Sequence, residues 1–253
     1  MVNEYERIAI VTGSTSGIGE ATARRFISAG MGVVGNGRNV EKLATLETEF
    51  GPSFSGVVGD AADADVLEKL FSQASDRFGK SAGIVVVNAG RGLDGSVMNA
   101  DLSQVADMLN VNVTGAFALL QKAAWKLVDH QQGGYPDTKA DIVIIGSVVG
   151  RHVSPFSSVY GASKFAVHSL SEALRRELGP KGIRVSLVEP GMVRSGFQAI
   201  AGYSDEMVKN LEDKYGPIPV GDDIADAILY IVSQPPHVHV SNIVVRPTRQ
   251  DYP

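Results

Sequence analysis

The sequence predicts an α/β fold built on a doubly wound parallel sheet. Three observations carry this: short β-branched runs recur along the chain, helical segments alternate with them, and a glycine cluster follows the first run directly. The runs are Ile8 to Val11, Gly32 to Val34, Ser55 to Val58, Ile84 to Val87, Ile142 to Ile145, Arg184 to Val188 and Asn242 to Val245. Several lack polar alternation, and a strand apolar on both sides is covered on both faces, as in a parallel sheet with helices above and below. The segments Glu20 to Ala29, Val66 to Phe78 and Val159 to Leu178 each stop at a glycine, Gly30, Gly79 and Gly179, as expected just past a helix end. No composition break divides the 253 residues, so a single domain spanning 1–253 is expected. Residues 129–141, rich in Gly, Gln, Pro and Asp, read as an exposed loop, and the longer irregular stretch 192–219 as a mobile lid.

Composition narrows the function. A content of 44% hydrophobic and 20% charged residues is that of an ordinary globular chain, and a net charge of −5 lacks the basic footprint that nucleic acid or an anionic membrane would need. With no cysteine there are no disulfides, thiolate metal sites or cysteine nucleophiles. His237 and His239 have no evident third ligand, so no metal is expected. Met1 to Arg7 is polar and runs straight into the first apolar run, which leaves no room for a signal peptide and predicts a cytoplasmic protein. The apolar stretches are far too short to span a bilayer. The expected partner is a small molecule held at local sites.

In an open parallel sheet, ligands bind beyond the carboxyl ends of the strands. The first run is followed by Thr12-Gly13-Ser14-Thr15-Ser16-Gly17-Ile18-Gly19. Its glycines let the backbone turn tightly and approach a pyrophosphate at the next helix's N-terminus, a Rossmann-type dinucleotide site with Gly13, Ser14, Ser16, Gly17, Ile18 and Gly19 as its contacts. A purely structural glycine turn is the alternative, weakened by the strand before it and the helix after it. The second run ends at Asn36-Gly37-Arg38-Asn39, with no acid before Glu41 to hold the ribose 2′-hydroxyl of NAD. Arg38 is a planar cation suited to a 2′-phosphate, so NADP(H) is the expected cofactor; a solvated surface arginine is the other reading. Asp60-Ala61 follows the third run, where Asp60 either accepts a hydrogen bond from an adenine amino group or simply caps a helix. Asn88-Ala89-Gly90 follows the fourth, offering small residues on which a flat cofactor can lie. Ser147 ends the fifth, and Pro190-Gly191, with Val193 and Ser195 beyond, the sixth.

Tyr160 and Lys164 stand four apart at the start of the helix after the fifth run, so both project from one face. Seven tyrosines and ten lysines in 253 residues give roughly 0.3 such pairs by chance, so spacing alone decides little. Their location decides more. Ser147 lies one loop upstream, and the three together offer a proton donor of tunable pKa and a partner to polarise a carbonyl. A neighbouring ammonium and an oxidised nicotinamide would both favour the phenolate, so Lys164 is expected to lower the pKa of Tyr160.

At these residues the chain resembles the short-chain dehydrogenase/reductase family over nearly its whole length. Thr12 to Gly19 is similar to that family's glycine motif, Asn88-Ala89-Gly90 to its Asn-Ala-Gly turn, and Ser147, Tyr160 and Lys164 to its catalytic triad. The resemblance implies that Asn112 completes a catalytic tetrad by anchoring a water linked to Lys164; by residue type alone, a structural hydrogen bond fits Asn112 equally well. It also implies that Tyr160 and Lys164 contact the nicotinamide ribose, and that Ser195 replaces a threonine that commonly contacts the cofactor carboxamide. Val87 departs from the pattern, standing where a second asparagine is usual. The ending from Pro235-Pro236-His237 to Gln250 resembles the NADP-dependent 3-hydroxy-acid and clavulanic-aldehyde dehydrogenase branch rather than the ketoacyl-carrier reductases.

The resemblance implies an NADP(H)-dependent oxidoreductase acting on an alcohol and its carbonyl. Arg91, Arg151, His152 and Arg194 follow strand ends or open the lid, so a small polar or anionic substrate is expected, with Phe197 beside it. Phe156, Phe197 and Tyr203 equally allow an apolar pocket. The alternatives are an NAD-dependent alcohol dehydrogenase of the same fold, an epimerase, whose relatives usually add a further substrate domain, and a non-catalytic dinucleotide sensor, which would have lost catalytic positions that are present here. The helix read over 104–128 is apolar nearly all round, which predicts burial against a second copy; the family favours a homotetramer over a homodimer.

Overall fold

Residues 5–252 are described in a computed structural model, with backbone alone for residues 199 and 200. The polar stretch read at 1–7 lies outside it for its first four residues. Seven strands, β1 (Ile8–Val11), β2 (Gly32–Gly37), β3 (Phe54–Val58), β4 (Ile84–Val87), β5 (Ala140–Ile145), β6 (Ile183–Pro190) and β7 (Asn242–Val245), form one sheet in the order β3-β2-β1-β4-β5-β6-β7. Every pairing is parallel. Chain direction across the sheet reverses between β1 and β4, and a crevice opens at such a switch point. The expected fold class is the one observed.

Both faces are covered, as the unalternated strands require. One core packs Leu67, Leu70, Phe71, Leu119, Leu127 and Val167 from α3 (Ala64–Phe78), α5 (Ala116–Gln131) and α6 (Ser158–Leu178) onto the sheet. The other packs Phe26, Leu43, Leu46, Ile224, Ile228 and Ile231 from α1 (Gly17–Ser28), α2 (Val40–Phe50) and α9 (Gly221–Ser233). Two glycine stops behave as read: Gly79 caps α3 with φ +66°, and Gly30 follows α1 with φ +82°. Gly179 does not. It keeps right-handed helical angles and opens a tight turn through Lys181, and the left-handed residue is Gly182 at φ +75°.

Three segments differ from the sequence reading. The helix read over 104–128 is α4 (Leu102–Leu109), a π-helical stretch Asn110–Gly115, and α5, so its faces rotate midway and part of the apolar surface is buried by this chain itself. The loop read at 129–141 is shorter, because α5 runs to Gln131 and β5 begins at Ala140. Residues 192–219 contain two short helices, α7 (Phe197–Ala201) and α8 (Asp205–Tyr215). No helix among the described residues is long and apolar enough to cross a membrane.

Asp141, read as a loop acid, is fully buried at the amino end of β5. It accepts from Arg7 at 2.5 Å and, through both oxygens, from Arg184 at 2.7 and 2.9 Å. The arginines in turn donate to the carbonyls of Gly83, Val232 and Val238, tying the starts of β1, β4, β5 and β6 to the end of α9 and the segment after it. A buried ion pair broken on one side leaves an uncompensated charge. Asp141→Asn is therefore expected to lower unfolding stability by about 3–5 kcal/mol in a urea titration; a loss under about 1 kcal/mol would show that the carbonyls alone satisfy the arginines.

Candidate active site

At the switch point the loops after β1 and β4 are clamped together. The Thr12 hydroxyl accepts from the backbone N–H groups of Asn88 and Ala89, both at 3.1 Å, and the Asn88 amide donates to the carbonyls of Thr12 and Gly13 at 2.8 and 3.3 Å. There is no room for side chains at this crossing. Gly13 has φ +67°, and a Cβ on Gly19 would lie 2.2 Å from the Gly13 carbonyl oxygen. The first turn of α1 consequently stands with its N-terminus open to the cleft, as an anionic pyrophosphate needs.

The cleft holds about 560 Å³, and Gly13, Ser16, Gly17, Ile18, Arg38, Asp60, Ala61, Asn88, Ala89 and Gly90 line its first half. Two residues expected there serve differently: Ser14 turns inward and donates to the Asn36 carbonyl at 3.1 Å, while Gly19 packs beneath Gly13. Thr15, not singled out from the sequence, lines the cleft instead. Asp60 accepts from the Ala62 N–H at 2.9 Å, but the cap of α3 is Asp63. Arg38 is exposed at the mouth and makes no ion pair among the described residues. Open donors at a helix start, bare backbone and a spare cation together fit a phosphorylated dinucleotide.

Ser147, Tyr160 and Lys164 meet on the wall beyond β5, with Pro190, Gly191, Val193 and Ser195 facing them from beyond β6. Lys164 is buried, donates to the Ile145 carbonyl at 2.8 Å, and has its ammonium 5.7 Å from the Tyr160 ring centre. Burial pushes its pKa down to about 8. The Tyr160 phenol departs from the sequence expectation: burial pushes it up, well above its ordinary value, while hydrogen bonding with Ser147 pulls the other way and the acidic Tyr203 adds to the rise. Desolvation dominates, against the lowering expected from Lys164.

Asn112 is buried in the π-helical stretch and does not line the cleft. Its Oδ1 accepts the Arg91 N–H at 2.9 Å, and its amide donates to the Arg91 carbonyl at 2.8 Å and to Ser163 Oγ at 3.2 Å. Those bonds fix the loop after β4, which is the structural reading of this residue.

The cations expected around the substrate are not brought together. Arg91 borders the cleft, but its guanidinium is bound to Asp107 and Gln104, both at 2.5 Å. Arg151 and Arg194 do not line the cleft; they pair with Glu189 at 2.5 and 2.8 Å and with Glu212 at 3.0 Å. His152 is exposed outside it. Phe197 does line it, with its ring centre 5.4 Å from that of Tyr160. The reason is local: each arginine has a nearer carboxylate, and pairing removes it from service.

Two supporting residues went unread. His168, one turn beyond Lys164, accepts the Ser147 N–H on Nε2 at 3.3 Å, so its Nδ1 carries the proton and faces Glu189 at 3.9 Å. Burial, with Lys164 and Arg151 adding to it and Glu189 opposing, lowers His168 to about 4, so the ring is neutral at pH 7. Burial alone would raise Glu189, but hydrogen bonds from Arg151 and Asn242 hold it low. Gln250 takes the Met192 N–H at 3.0 Å and joins the wall.

The model of the family described as short chain dehydrogenase matches residues 7–203, and the chain belongs to that family. A serine 3-dehydrogenase of Agrobacterium fabrum is 34% identical over 249 residues, covering 96% of this chain and 94% of that protein. An uncharacterized oxidoreductase of Staphylococcus aureus strain MW2 is 33% identical over 243 residues, covering 96% and 97%. Among solved structures, the closed form of serine dehydrogenase complexed with NADP+ superposes with a TM-score of 0.86 at 27% identity, covering 97% of this chain and 96% of that one. The 3-ketoacyl-(acyl-carrier-protein) reductase of Brucella melitensis complexed with NADH gives 0.86 at 25%, covering 97% and 98%. The chain is thus an oxidoreductase of the short-chain dehydrogenase family.

If His168 acts by holding Ser147, His168→Leu should lower kcat about tenfold, the value of one hydrogen bond, with cofactor affinity unchanged. His168→Gln, which keeps an acceptor, should recover part of it. In a Ser147→Ala background the His168→Leu effect should vanish; an undiminished effect there would make it a general packing defect.

Proposed function

We propose that this protein is an NADP(H)-dependent oxidoreductase that interconverts a small alcohol and its aldehyde or ketone, with Tyr160 as general acid and base. The observation that carries the reading is the continuity of one cleft from the glycine turn and Arg38 to Ser147, Tyr160 and Lys164. The bound cofactor supplies hydride in one direction and accepts it in the other. In reduction, Ser147 and Tyr160 donate hydrogen bonds to the carbonyl oxygen, and the raised phenol is a well-populated proton donor at neutral pH. In oxidation, the Tyr160 phenolate, stabilised by the Ser147 hydroxyl and the Lys164 ammonium, takes the alcohol proton and becomes the neutral phenol. Lys164 also holds the nicotinamide ribose. The tetrad role for Asn112 rests on the family resemblance, and its bonds to Arg91 support a positioning contribution.

NADP(H) is preferred because Arg38 is free and no acid replaces it at the end of β2; the NADP+ complex of serine dehydrogenase supports this. A small polar substrate is supported by the serine 3-dehydrogenase relatives. The polar groups on the wall beside Tyr160 are the neutral Ser154, Tyr203 and Gln250, so polarity here means hydrogen bonding rather than charge. Parallel assays should give at least about tenfold higher kcat/KM with NADPH than with NADH, a ratio that Arg38→Ala removes. Tyr160→Phe should lower turnover by about 100-fold or more with NADPH binding intact; near wild-type turnover would refute its role.

We also infer a homo-oligomer, with the family favouring a tetramer and the segment 192–219 acting as a lid. Phe117 and Trp125 of α5 and Phe165 of α6 are exposed at 48%, 63% and 42%, more apolar surface than neighbouring helices of a monomer leave in water. Light scattering at micromolar concentration should show an assembly that Trp125→Glu weakens; a monomeric wild type would reject it.

A further inference from the structure

The substrate half of the cleft specifies more than a hydroxyl group, given the hydride-transfer reading above. Beside the neutral Ser154, Tyr203 and Gln250, its wall beyond Ser147 and Tyr160 carries Val149, Phe156, Phe197, Met207, Leu211 and Tyr215. The tilted stack of Phe197 on Tyr160 starts an apolar surface where the reacting carbon would sit. At the mouth, Phe156 is 68% exposed and Met207 39% exposed, large apolar groups whose burial by a ligand is favourable.

Charge points the same way. Of the cations that line the cleft, Arg38 stands at the cofactor end and Arg91 is bound to Asp107, while Arg194 and Lys214, outside it, pair with Glu212 and with Tyr215 and Asp251 at 3.1 Å each. Lys164 is held by the Ile145 carbonyl and serves Tyr160. Asp94 acts on Tyr203, and Tyr203 acts on Tyr160, each raising the next phenol after burial has done so. A carboxylate brought here would shed its hydration with no free lining cation to replace it. The Tyr203 hydroxyl makes no hydrogen bond among the described residues, so it is available to a second neutral oxygen.

We propose that the site takes a neutral alcohol or carbonyl compound with an aromatic or branched aliphatic body, and discriminates against hydroxy acids. Tyr203, Met207, Leu211 and Tyr215 all come from residues 192–219, so that segment sets the selection.

The test uses the purified protein with NADP+ or NADPH. Its panel is 1-phenylethanol and acetophenone on one side, and serine, 3-hydroxypropanoate and 3-hydroxybutyrate on the other, with saturation-transfer NMR reporting binding to the protein–NADPH complex. The neutral aryl pair should exceed the hydroxy acids about 100-fold in kcat/KM. Preferred turnover of hydroxy acids overturns the proposal and leaves the oxidoreductase reading standing. Saturation by the aryl alcohol alone, without turnover of any panel member, supports the pocket chemistry and overturns the proposed Tyr160 chemistry on these substrates. Absence of aryl binding overturns the proposal.

Discussion

The hydrogen bonds between Thr12 and Asn88 fix the distance between the loops after β1 and β4, and everything on the cleft is placed relative to that crossing. They act where the sheet's winding reverses, so no helix fills the gap between the two loops. A looser crossing would swing the start of α1 away from Asn88 and part the two halves of the cleft. The opposite end of the sheet is held by a different chemistry, the Asp141 carboxylate shared between two arginines. Hydrogen bonds thus fix a small gap at one end of the sheet, while paired charge fixes the other.

The working residues are layered in the same way. Ser147, Tyr160 and Lys164 reach the cleft, but Ser147 is held from behind by His168, with Glu189 and Arg151 beyond it, and Lys164 by the Ile145 carbonyl. Neutral His168 is the acceptor that the Ser147 N–H needs, and Glu189 with Arg151 keeps the ring oriented.

Much of this was readable from the chain. The strands were legible because burial on both faces erases the alternation that half-exposed strands keep, and the convergence of Ser147, Tyr160 and Lys164 on the cleft because a helical spacing fell just beyond a predicted strand end. What was not legible depends on contacts across long stretches of sequence. Arg151 looked free because its partner, Glu189, lies on β6, and Arg91 because Asp107 lies on the next helix. Asp141 sat in a polar composition that resembles a loop, and only the fold reveals Arg7 and Arg184 converging on it. The shift of Tyr160 was missed for a related reason: the ammonium four residues away is visible in the sequence, whereas the depth of burial is not.

The π-helical stretch at Asn110–Gly115 accommodates more residues per turn than the α-helices on either side of it. Each residue of an α-helix advances the azimuth by about 100°, so the wide turn resets the phase between α4 and α5. Deleting one residue there would restore regular winding at the expense of that phase. Asn112 would then swing off the Arg91 backbone, and Phe117 and Trp125 would point a different way from the body of the protein. A single indel in this stretch therefore couples two traits that seem unrelated, the posture of the loop beside the cleft and the face that α5 offers to its surroundings.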